Sequence, residues 1–310
     1  MERLTKIATG WIWILLWGCV AHATEPVAVD GSSTPEVRQH AIRQIPLKQL
    51  NDQAKQKLLP VLEDPSLFRR MPAQTIHSDP EMLTFLVRYP EVLVNIWDIM
   101  GITKVTVNRL NPYVFQGKDG AGTECKAELI YGTDDLHIYY GTGSYDGTLV
   151  GRELKGRCVC VLHSKPTNAP NDPATVSGQM DVFLKLDNVG ADIIAKTLGP
   201  FVGKTADGNF VESAKFVSQL SQAAEHNPLG VQQLASKMNK IQPTVRDQFV
   251  QVAHQVAQRS KSNQLSSPPT QTPATRMSEE LLNDWKQSSR VPERDLHLRS
   301  LEKTESALRR

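Results

Sequence analysis

The chain has little of what usually marks a chemistry. It holds four cysteines and eight histidines, and aromatic residues make up only 6% of it. His77, His137 and His163 have no acid beside them at a triad or metal-helix spacing. Gly141-Thr142-Gly143-Ser144 lacks the Gly-x-Ser-x-Gly frame of a nucleophile elbow, so it reads as a flexible strand end. An excess of one charge is also missing. The 35 basic and 33 acidic residues are interspersed, for a net charge of +2, which excludes the gathered basic face of a nucleic-acid-binding module. Long apolar runs are confined to residues 7–20, too short to span a bilayer, which takes about 20 residues.

That apolar run is the most specific signal present. Arg3 and Lys6 precede it, Trp11, Trp13 and Trp17 lie within it, and Ala21-His22-Ala23 follows with the small-residue pattern of a cleavage site. The reading is a secretory signal at 1–23 and an exported protein, periplasmic or extracellular, that is not integral to a membrane after cleavage. The alternative is a lipoprotein anchored at Cys19, which follows Gly18, although the bulky Trp17 fits that pattern poorly.

Residues 24–45, with Pro26, Gly31, Ser32, Ser33 and Pro35, read as a flexible lead-in. From 46 to 62, Leu47, Leu50, Ala54, Leu58 and Leu62 share one helical face, with Pro60 awkward near its end. A short extended piece, 68–77, leads to Ser78-Asp79-Pro80-Glu81. There Ser78 and Glu81 have capping-box spacing for a helix that meets Pro90. Leu93, Ile96, Trp97 and Met100 predict a second helix ending at Gly101. Alternation then predicts consecutive antiparallel strands through 104–188, turning at Gly132-Thr133-Asp134 and Tyr145-Asp146-Gly147, with Gly151 and Gly156 as candidate bulges.

A long apolar stripe closes the domain: Ile193, Ile194, Leu198, Phe201 and Val202, then Phe210, Ala214, Val217, Leu220 and Ala224. Gly199-Pro200 and Gly208 interrupt it. Helices at 229–238 and 245–256 follow, as accessory elements of a 226–259 segment. Residues 260–276, rich in Ser, Gln, Thr and Pro, read as a disordered linker, and 277–310 as a charged, marginally helical tail.

An extended piece, two short helices, a run of antiparallel strands and a long terminal helix, in that order from Phe68 to Ala224, resembles the START-like superfamily. The resemblance covers about half of the chain and implies an α+β helix-grip domain over 46–225. Its curved antiparallel sheet would wrap the last helix and leave a cavity for a lipid or other apolar molecule. No diagnostic motif accompanies it, so no functional residue is carried over. The glycines of the closing stripe would break that helix near its start.

Three cysteines remain after cleavage. In a simple meander turning at Thr133 and Asp146, Cys125 lies opposite about Thr142, and that opposite about Val150. Cys158 then falls some 26 Å away at strand rise, outside the roughly 7 Å that a disulfide spans. Cys158-x-Cys160-x-x-His163 has metal-binding side chains, but a strand puts the thiols on one face and the imidazole on the other. Neither a disulfide nor a metal is assigned, and no cofactor is implied. Trp97, Tyr131, Tyr139 and Phe183 are the candidate cavity aromatics, and Arg69, beside Arg70, is the candidate for an anionic group. The leading reading is a non-enzymatic binding or carrier protein for an apolar small molecule or lipid. Two others stand beside it: an envelope scaffold that docks a protein partner through its C-terminal helices, and an enzyme whose cavity site carries no recognisable motif.

Overall fold

The computed structural model describes residues 31–146, 153–167, 174–187 and 199–266. The signal segment 1–23, most of the linker and the charged tail lie outside these residues, as do Gly151 and the first part of the closing stripe.

Six strands follow one another as an antiparallel meander: β3 (Thr106–Asn111), β4 (Val114–Lys118), β5 (Thr123–Gly132), β6 (Leu136–Tyr145), β7 (Leu154–Thr167) and β8 (Thr175–Asp187). The first extended piece is split at Pro72 into β1 (Leu67–Arg70) and β2 (Gln74–Ile76), and both pair antiparallel with β8. The sheet therefore has eight strands in the order β1-β8-β7-β6-β5-β4-β3, with β2 beside β8. Its irregularities fall at Arg109/Asn111 and Leu129/Tyr131 rather than at Gly156, which pairs in unbroken register with Gly143 and Leu186.

One long helix, α5 (Gly199–His226), lies on the inner face of the sheet, and Ala206, Phe210 and Phe216 reach the strands. The architecture is a helix-grip one: an open antiparallel sheet with a long C-terminal helix on one face. The expected break does not occur. Gly199 and Pro200 are the first two residues of α5, where a missing N–H costs nothing, and Gly208 is carried inside it. A helical glycine costs only about 1 kcal/mol relative to alanine, and burial of Phe210, Ala214, Val217, Leu220 and Ala224 offsets that.

Two short helices precede the meander, α3 (Pro80–Arg88) and α4 (Pro90–Ile99). The cap of α3 is Asp79, not Ser78: its Oδ1 accepts from Glu81 N at 2.9 Å and Met82 N at 3.3 Å. Beyond α5, α6 (Pro228–Ser236) and α7 (Pro243–Ser266) close a helical core with α3 and α4 around Met82, Phe85, Leu86, Met238 and Phe249. They are integral to the domain rather than accessory, and α7 continues through the first residues of the expected linker.

The outer face of the sheet is also covered. Helices α1 (Pro35–Arg43) and α2 (Asp52–Glu63) bury Ala41, Leu58, Val61 and Leu62 against Ile138, Val159, Val161 and Phe183. The supposed lead-in thus contains a helix, capped by the Thr34 hydroxyl and begun at Pro35. Pro60 sits in the third turn of α2, a single missing backbone bond in a helix held by side-chain packing.

Candidate inner-face ligand site

Strand pairing stacks three rows of side chains across the inner face. In one row Phe115, Ala127, Gly141, Cys158 and Leu184 are successive neighbours, and in the next Gly117, Cys125, Gly143, Gly156 and Leu186. A third runs Leu129, Tyr139, Cys160, Val182 and Arg69. The middle of the face carries nothing larger than a methyl or a thiol, because glycine or alanine fills five of these positions. Around it stand Trp97, Phe115, Tyr139 and Phe210, all buried in one apolar cluster. Cys125, Gly143 and Cys158 remain only partly covered.

The glycines are needed there. A Cβ on Gly141 would lie 2.5 Å from Cys158 Sγ, and one on Gly143 would lie 2.7 Å from Glu124 O and 2.9 Å from Cys125 Cβ. Alternating glycine in β6 thus admits both thiols over the strand between them. The sequence register missed this, because β7 begins at Leu154 after a longer connection. Cys125 faces Gly143 and Cys158 faces Gly141, so the two thiols lie diagonally across one strand. All three cysteines are free. His163, at the other parity of β7, is on the outer face, and among the described residues no group of three His, Cys, Asp or Glu could hold a metal.

The thiols differ in character. Burial raises the Cys125 thiol well above its ordinary range, with Cys158 nearby adding to the effect. A hydrogen bond from Cys160 lowers Cys158, as does the Gly141 backbone N–H, and the same bond raises Cys160.

Of the five candidate residues, the structure gathers some and separates others. Trp97, on α4, is 3% exposed and stacks edge-on against Phe216 with ring centroids 5.6 Å apart. Its Nε1–H is buried with no hydrogen-bond partner among the described residues. Tyr139 lines the inner face, and its hydroxyl donates to Val87 O at 2.6 Å; burial raises its pKa. Phe183 and Tyr131 lie on the other face. Phe183 is fully buried beneath α2, 4.9 Å from the Phe68 ring, and the Tyr131 hydroxyl donates to Gln49 Oε1 before α2. Parity put Phe183 opposite Phe68, and the bulge at Leu129/Tyr131 turned Tyr131 outward.

Arg69 reaches the inner face but is already paired. Its Nε donates to Asp207 Oδ1 on α5 at 3.0 Å, its Nη2 to Oδ2, and Asp207 also accepts from Gly31 N at 3.1 Å. Arg70 points outward and forks onto the fully buried Asp181 at 2.7 Å on both oxygens. Both guanidiniums hold the fold together, which leaves no free pair for an anionic group.

His137, one of the strand-region aromatics that could line a pocket, lies on the inner face at the hairpin end. It is fully buried, and its Nε2 accepts from Arg88 Nε at 3.2 Å. Burial first, then the Arg88 charge, pulls its pKa from 6.5 to about 4, so it stays neutral with an unpartnered Nδ1.

No protein-family model and no curated protein sequence matches the chain. Among solved structures it is similar to XoxI from Bacillus cereus at 14% identity, covering 52% of this chain and 99% of that one with a TM-score of 0.32. It is similar as well to truncated norcoclaurine synthase from Thalictrum flavum, at 12% identity, 50% and 93% coverage and a TM-score of 0.33. The di-domain ARO/CYC BexL of the BE-7585A biosynthetic pathway gives 16% identity, 53% of each chain and a TM-score of 0.30.

Proposed function

We propose that the inner face binds a small apolar molecule carrying a hydrogen-bond acceptor, and that the protein is an exported binder or carrier of such a molecule. The observation that carries this reading is the patch of glycine, alanine and thiol in the cluster of Trp97, Phe115, Tyr139 and Phe210, together with a buried Trp97 N–H that has no partner among the described residues. An indole N–H ordinarily finds a partner when buried, and leaving it unmade costs about 1–3 kcal/mol. A ligand carbonyl or hydroxyl oxygen would supply that partner, while apolar bulk over the glycines would gain contact area. Neutral His137, and Arg69 already paired with Asp207, favour an uncharged ligand.

Two environment-sensitive probes test this, a naphthyl ketone and the hydrocarbon pyrene. Both should bind the wild-type protein. Trp97→Phe should weaken the ketone about 5- to 20-fold, the worth of one buried hydrogen bond, and leave pyrene within about twofold. Equal weakening of both probes would mean that Trp97 only packs, and failure of either probe to bind the wild type would sink the reading. Export is supported by the 1–23 pattern, with cleavage near Ala23, and is checked by identifying the N-terminus of protein from its own compartment; a chain that still begins at Met1 refutes it. In the scaffold alternative, α6, α7 and the segment after Met277, which lies outside the described residues, would dock a partner. Their apolar faces are buried in this domain instead, and Leu229 is their large exposed apolar side chain among the described residues.

A further inference from the structure

The three thiols are the one group of nucleophiles on the inner face that the binding reading leaves without a task. They are not equivalent in position. Cys160 is 5% exposed and packed in the cluster of Trp97 and Tyr139, whereas Cys158 is partly covered at the margin of that cluster, with its Sγ over Gly141. Cys125 lies across the glycine strand, beside Gly143.

We propose that Cys158 is a covalent capture site for apolar electrophiles of the α,β-unsaturated carbonyl class that bind on this face, with Cys160 as its positioning residue. The inference rests on the ligand reading above and deepens it. In the step, Cys158 Sγ bonds to the ligand's β carbon and the C=C π pair moves onto the carbonyl as an enolate. The enolate then collects at its α carbon the proton that the thiol gave up. One S–C bond and one C–H bond form, one S–H bond and one C=C π bond are lost, and no oxidant or metal takes part. The thiolate is the attacking form. The Cys160 S–H, with the Gly141 N–H, favours it on Cys158 against the opposing effect of burial, whereas on Cys125 burial prevails. Because the carbonyl is also the acceptor that the Trp97 N–H lacks, one ligand class answers both features.

The test treats the reduced full chain with 2-nonenal, an apolar enal, and in parallel with iodoacetamide, a polar electrophile. Adducts are stabilised by borohydride and mapped by peptide mass spectrometry over the four cysteines. The expected result is one nonenal adduct, on Cys158, formed at least tenfold faster than on Cys125 or Cys160 and faster than on the urea-unfolded chain. Pyrene, bound first, should slow it, and iodoacetamide should show a smaller preference for Cys158, set by thiolate character alone. Cys160→Ala should move the midpoint of the pH–rate profile upward, whereas Cys160→Ser should restore part of the shift; a merely structural role would leave that midpoint in place. Adducts spread evenly over the thiols, or a Cys158 rate no greater than in the unfolded chain, would overturn the proposal. If pyrene binds and Cys158 is not selected, capture fails while the binding reading survives. If Cys158 is selected with no pyrene binding and no pyrene protection, the thiol is reactive but the apolar site is wrong, and the proposal fails with it.

Discussion

His137 shows how one side chain couples this fold to pH. The unfolded imidazole titrates near 6.5 and the folded one near 4, because burial and Arg88 oppose its charge. Above pH 6.5 both states are neutral and the contribution is fully present. As pH falls from 6.5 to 4 the unfolded chain takes up a proton that the folded one refuses, so stability is lost through that window and levels off below it. His163, also lowered by burial on the outer face, adds in the same direction. In urea titrations at pH 7.5 and 4.5, His137→Phe should lose less stability than the wild type by an amount on the order of 2–3 kcal/mol. An equal loss in the two proteins would show that His137 does not carry the dependence. Parity in the sequence placed His137 with Tyr139 on one face of β6, but only its burial, with Arg88 packed against it, fixed its charge.

At the scale of elements, ion pairs pin the pieces that local propensity alone would leave loose. Glu91 on α4 accepts both arms of Arg109 on β3, whose guanidinium also lies 4.6 Å from the Tyr89 ring centre. Asp79 caps α3 and at the same time takes Arg259 of α7 at 2.8 and 2.9 Å. On the outer face, His40 and Gln44 of α1 close over Arg70 where it forks onto Asp181. The Arg69–Asp207 pair does the same for α5 and the sheet edge, and both side chains are largely buried. Breaking a buried pair strands the remaining charge, at a cost of about 3–5 kcal/mol. Asp207→Asn should therefore lower stability by about 2–4 kcal/mol, since the amide can still accept from Gly31 N, and should raise hydrogen exchange in β1 and the first half of α5. Unchanged exchange in both segments would show that the pair does not hold the helix down.

For the whole molecule, the sheet is covered on its two faces by elements distant in the sequence. The core around Phe85 and Phe249 joins α3 to α7, and that around Phe68 and Phe183 joins the N-terminal helices to β7 and β8. A chain ended at Gln242 loses Val245, Phe249, Val252, Ala253 and Val256 from the first of these. At roughly 1.5–3 kcal/mol for each of the four larger side chains, that is comparable to the whole net stability of an ordinary domain. Such a truncation should show no cooperative thermal transition and should bind anilinonaphthalene sulfonate. A retained transition would mean that α7 is dispensable.

The sequence by itself determined the elements whose cause is local. Alternation in 104–188 specified the strands, Gly132-Thr133-Asp134 specified a hairpin, and the apolar spacing about Leu93 and Trp97 specified α4. The order of these elements was enough to name a helix-grip sheet. Only the tertiary structure decided what depends on partners distant in the chain. Gly199-Pro200 and Gly208 are tolerated because a helix start spares the proline and packing against the sheet outweighs the glycine. Tyr131 left the inner face because one bulged residue reverses every side chain beyond it. Cys125 and Cys158 became near neighbours because the connection before Leu154 shifted β7 along β6, and no local pattern encodes the length of such a shift. Arg69, legible as a charge, could not be read as already paired, since its partner Asp207 lies 138 residues away.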